Sequence, residues 1–157
     1  MMLAELENYL DVLETKHTEL KDILAEIGDN ATALNWKPLG EEGLSIFALA
    51  VDVALQEDFW VSHVVGKRAE PPGIDQLETA QGARIEPLIQ LLTAAQANTA
   101  QVFGELEANT VNGQIEFNGD LLDTRWCLLT STQRVAENLG QISVMWQWWQ
   151  QNQETIN

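Results

Sequence analysis

Two histidines, His17 and His63, and one cysteine, Cys127, are the side chains in this sequence best suited to move a proton or attack an electrophile near neutral pH. A nucleophilic cysteine needs a cationic or helix-N-terminal setting and a base. Cys127 has Trp126 beside it and no such partner nearby in sequence, so a plain buried thiol is expected. His63 shares a helical row with Asp52, Gln56 and Phe59. It lies roughly 16 Å beyond Asp52 at 1.5 Å per residue, too far to act on one ligand with it. A partly exposed histidine is expected there. His17 falls among leucines. It is either an acid or base facing a pocket or a core histidine satisfied by a polar neighbour, and the second reading is preferred. The sequence contains no glycine-rich phosphate loop, no recognisable Ser/His/Asp grouping and no pair of cysteines.

Long amphipathic helices must position these groups. Leu6, Leu10, Leu13, His17, Leu20, Leu24 and Ile27 recur at spacings of three and four, which predicts a first helix over about Leu3 to Ile27. Gly28, Asp29 and Asn30 stop it. A connector from Ala31 to Leu44 follows. Ser45 is a suitable N-cap for a second helix running to about Val65, ended by Gly66 and then Pro71, Pro72 and Gly73. The third helix is expected from Pro87 to Glu107, with a weaker helical turn in Ile74 to Glu86. Gln114, Ile115, Glu116 and Phe117 alternate between two Asn-Gly pairs, as a short extended arm or loose hairpin would. The fourth helix is expected over about Leu121 to Gln150. Four long helices and no sustained strand pattern predict an all-α four-helix bundle, read as one domain over residues 1–157.

Composition narrows the function classes. The formal net charge is −16, from 24 acidic and 8 basic residues, which disfavours nucleic acid and anionic lipid surfaces. The chain has no apolar run long enough to span a bilayer and no signal-peptide pattern at its start. A lone cysteine rules out an internal disulfide and is compatible with the reducing cytoplasm, the expected location. Trp146, Trp148 and Trp149, with Met145, crowd the end of the last helix and cannot all share one face. At least one is expected at the surface or in a homodimer contact.

Trp36-Lys37-Pro38, Ser45-Ile46, Glu57 with Trp60, and Gly140-Gln141-Ile142 in the last helix together resemble the DinB/YfiT-like superfamily. The resemblance follows the order of elements along the whole chain. It implies a four-helix bundle in which three histidines, one on helix two and two on helix four, hold a divalent metal such as zinc or nickel. Characterised branches are thiol-dependent S-transferases and isomerases. In this sequence the three positions carry Asp52, Arg134 and Asn138. A guanidinium has no lone pair to offer a metal, and an amide oxygen is a weak donor. The expectation is therefore a site without metal or other cofactor. Asp52 and Arg134 would form an inter-helix ion pair with Asn138 bonded nearby, and removing Arg134 would cost about 3–5 kcal/mol if the pair is buried. His17, Gln56, Trp60 and Trp126 are the expected lining, and Glu137 is expected to face solvent.

Three functions fit that expectation: a metal-free protein that binds a small molecule or partner at the former metal pocket, a thiol-dependent transferase or isomerase with a rebuilt site, or a structural dimerising bundle. Fold resemblance alone does not choose among them.

Overall fold

A computed structural model describes residues 1–71 and 80–156. The chain is mostly helical. Helix α1 spans Ala4–Ile27 and buries Leu6, Leu13, His17, Leu20, Leu24 and Ile27 of the stripe its periodicity predicts, with Leu10 partly buried. It ends at Gly28, whose φ of 64° suits a residue without Cβ. A short helix α2, Ala31–Leu34, lies inside the connector and is capped by the Asn30 side chain.

Helix α3 runs over Ile46–Glu57, with the Ser45 hydroxyl accepting from the Ala48 N–H at 3.1 Å. Its buried residues occur on nearly every side, because it packs against both α4 (Glu86–Glu105) and α6 (Thr124–Ile156). Helix α1 contacts the same two helices. From Asp58 to Val65 the backbone continues as a wider π-helix, closed by a 2.8 Å bond from the Gly66 N–H to the Val61 carbonyl. That widening is a feature periodicity does not announce. It sets Phe59 edge-on to Trp60 with ring centres 5.1 Å apart.

Of the stop at Pro71, Pro72 and Gly73 and the helical turn expected in Ile74 to Glu86, the part at 72–79 lies outside the described residues. Residues 80–85 are not helical, and α4 begins at Glu86 with Pro87 in its first turn. After the four-residue helix α5 (Ala108–Val111), strands β1 (Gln114–Phe117) and β2 (Asp120–Asp123) form an antiparallel hairpin. Asn118 and Gly119 both have positive φ, as a two-residue hairpin turn requires. This moves the start of the last helix. Leu121 and Leu122 pair with Glu116 and Ile115, so α6 begins at Thr124 and not at Leu121. The Asp123 carboxylate accepts from the Trp126 N–H at 3.2 Å and caps it.

A single cluster of buried apolar side chains joins all the long helices, from Leu6 and Leu24 on α1 to Val135 and Ile142 on α6. None of the helices is long and apolar enough to cross a membrane, among the described residues. Arg125 on α6 grips Glu5 on α1 with two bonds of 2.6 and 2.9 Å. That grip lowers the Glu5 carboxyl below its usual range, the hydrogen bond outweighing desolvation.

Candidate functional site

Two buried carboxylates on α3 organise the polar interior. The first is Asp52, 9 % exposed. Its Oδ2 accepts from Asn138 Nδ2 on α6 at 2.7 Å, and its Oδ1 accepts from Gln56 Nε2 one turn along α3 at 3.2 Å. A carboxylate takes such amide donors well, and both of its oxygens are engaged.

Arg134 does not join this cluster, which corrects the expected ion pair. Its side chain is exposed and makes no ion pair among the described residues. It lies on the same helical row as Asn138, but the two amides already satisfy Asp52. Burying a guanidinium there would cost several kcal/mol of desolvation, about what a buried ion must recover from its partner. The donor set therefore does not suit a divalent cation needing three N or O ligands. Asp52 is occupied, Asn138 presents an N–H to it, and Arg134 stands in solvent. Among the described residues, no group of three or more His, Cys, Asp or Glu converges on one point.

The second carboxylate is Glu57, which is 0 % exposed. Its Oε1 lies 2.8 Å from His17 Nε2 on α1, and its Oε2 accepts from the Thr99 hydroxyl on α4 at 2.9 Å. His17 is itself 1 % exposed. The histidine is thus a core residue bonded through Nε2 to a polar neighbour and not to Asp52. Asn138 meets Asp52, and the Trp126 ring meets Trp60 at 5.3 Å, so α3 and α6 run antiparallel. Ser131 is fully buried, and neither its Oγ nor His17 Nδ1 has a protein hydrogen-bond partner among the described residues. His17, Glu57 and Thr99 make one buried polar group across α1, α3 and α4. Sequence reasoning noted Glu57 only as an acidic position. The available signal was a histidine inside a leucine stripe, which demanded a partner.

The remaining candidates are dispersed. Trp60 and Trp126 pack edge-on, with Trp126 half exposed, so they form one wall of the α3–α6 seam and do not plug a cavity at Asp52. His63 is half-buried. Its Nδ1 lies 2.7 Å from the Arg68 carbonyl, and its ring abuts Phe59 and Phe117. Next to Glu57, Asp58 has its carboxyl raised by burial, partly offset by the Asn98 side-chain bond at 3.3 Å. Cys127 is buried, and burial pushes its thiol up, away from the reactive form. Glu137 faces solvent and accepts from Gln133 at 2.8 Å.

On the outer face of α6 lies an open apolar groove of about 750 Å³. The 38–44 connector forms one wall and α6 from Glu137 to Trp148 the other. Trp36 braces its far end, edge-on to Trp148 and Trp149 at 5.4 and 5.5 Å.

No family model and no curated protein matches this sequence. The fold is similar to that of a conserved protein from Enterococcus faecalis known from a crystal structure, with a TM-score of 0.72 and 15% identity, covering 93% of this chain and 96% of that one. A likeness at that identity speaks to fold alone.

Proposed function

We propose that this chain is a four-helix bundle of the DinB/YfiT-like type in which side-chain hydrogen bonds have taken the place of the metal, and that it works as a metal-free binding protein. The observation that carries the reading is the 2.7 Å bond between Asn138 and Asp52. The resemblance sets these two positions around one centre although they stand on different helices. Here they meet directly, with one amide N–H and one carboxylate oxygen where relatives have two imidazoles and an ion. The direct bond links α3 to α6 without a ligand. It also closes the former pocket, since Asp52 and Asn138 are 9 % and 7 % exposed.

The binding role moves to the groove on the outer face of α6. Its volume suits a small organic ligand, for which pockets of about 300–1,000 Å³ are usual. Glu137 and Gln141, which flank Asn138 in sequence, line it. Trp148, 43 % exposed, closes its far end and answers the expectation that one of the terminal tryptophans lies at the surface.

The test is elemental analysis of protein purified without an affinity tag, then dialysed against zinc and against nickel. The reading predicts far less than one ion per chain in both cases. A stoichiometric ion retained through dialysis would overturn it.

A further inference from the structure

We propose that the groove on the outer face of α6 binds a single-chain amphiphile with a cationic head, the head at Glu137 and the apolar chain directed toward Trp148. This rests on the binding role proposed above and names its ligand class.

The shape of the groove sets the length of the ligand. Glu137, Gly140, Gln141, Val144, Met145 and Trp148 recur on one face of α6, and at 1.5 Å per residue the span is roughly 16 Å. Leu39 and Leu44 supply the opposite wall. Leu39 is 83 % exposed and Val144 63 %, so the walls are apolar yet uncovered by the chain itself.

The floor points the same way. Gly140 sits deep inside a 33-residue helix, where glycine costs about 1 kcal/mol relative to alanine. A Cβ added there would meet nothing within 4 Å. Packing within the chain does not require this glycine, and a long side chain at this lining position would reach into the groove.

Charge selects the head group. Glu137 stands at one end of the groove, with Oε1 bonded to a neutral amide and no cation paired to it among the described residues. Glu41 and Glu42 lie on the connector between Leu39 and Leu44. The nearby cations are Lys37, whose Nζ bonds the Glu41 carbonyl at 3.3 Å, and the exposed Arg134 on the turn before Glu137. A chain of net charge −16 repels a fatty anion and equally a second copy of itself. A cationic head with an apolar chain meets both the carboxylate end and the indole end of the groove.

The experiment titrates the full chain, followed by tryptophan fluorescence, with dodecyltrimethylammonium and separately with dodecanoate. Both are kept below micelle-forming concentrations in 0.15 M salt, where exposed charges more than about 8 Å apart are screened. Far-UV circular dichroism monitors the fold. The cation should saturate at one per chain and bind at least about tenfold more tightly than the anion. Glu137→Gln should remove most of that preference. Gly140→Leu should weaken binding by about tenfold or more while leaving the melting temperature unchanged or higher, because it fills the groove and improves helix propensity. Equal binding of both amphiphiles, unsaturable binding, or affinity indifferent to Gly140→Leu would overturn the proposal. So would a doubled mass by light scattering that the same substitution returns to a monomer, which would assign the face to self-association. A failed titration on protein that retains no metal removes the ligand class and leaves the metal-free reading standing. A retained ion removes that reading whatever the titration shows.

Discussion

Asp52 and Glu57 lie little more than a turn apart on one helix, yet they are held in different ways. Asp52 is fixed by two neutral amides, keeps a small window to solvent and ties α3 to α6. Glu57 has no exposure, is fixed by an imidazole and a hydroxyl, and ties α3 to α1 and α4. The first cluster uses directional bonds between uncharged donors and one carboxylate. The second places two ionisable groups in the same dry layer, where the Nε2–Oε1 bond needs a proton at one atom or the other. The difference teaches where the molecule is vulnerable. Loss of an amide at Asp52 leaves a carboxylate that water can still reach, whereas loss of His17 leaves one sealed in the core.

The largest effect is therefore expected at His17. Replacing it by alanine should lower unfolding stability in urea by about 3–5 kcal/mol, as for other buried pairs broken from one side. Replacing both partners, His17→Leu with Glu57→Met, should recover most of that loss, since the penalty lies in the orphaned group. Asn138→Ala should cost less, about 1–3 kcal/mol for one lost bond to a carboxylate that is nearly buried. Equal losses at the two sites would erase the contrast.

A smaller, pH-dependent effect is expected at Asp58, the neighbour of Glu57. Burial raises its folded-state pKa, so the native protein holds that proton more tightly than the unfolded chain. Its contribution is therefore full below the usual carboxylate range and is lost as pH rises from there through the raised value. Stability profiles of the parent and of Asp58→Asn should diverge across that window, with the variant lacking the decline. The smallest effect belongs to Arg134→Ala, expected within about 0.5 kcal/mol of the parent, as for an exposed residue with no ion pair among the described residues. A loss near that of a broken buried pair would show that the guanidinium turns inward after all.

The helices were legible because burial follows periodicity. The leucines of α1, Ser45 before α3 and Pro87 in α4 each report a local requirement that the fold meets. The start of α6 was not, because Leu121 and Leu122 answer to pairing with β1 and not to their own helix propensity. The π-helix after Glu57 escaped for a related reason. One extra residue per turn leaves composition unchanged and shifts only which rings meet. Asp52 and Asn138 were placed together through the family resemblance. Arg134 was misplaced because a shared helical row says which residues are neighbours, not which of them is worth desolvating. The bond between His17 and Glu57 joins residues distant in sequence, and periodicity does not fix which helices face each other across the core.

The account turns on whether the amide and carboxylate between α3 and α6 occupy the place of an ion. Calorimetric titration with zinc and with nickel, comparing the natural chain with the variant carrying Asp52→His, Arg134→His and Asn138→His, tests this most directly. The account predicts no saturable site in the natural chain and one site per chain in the variant. One site per chain in the natural protein, or none in a folded variant, would contradict it.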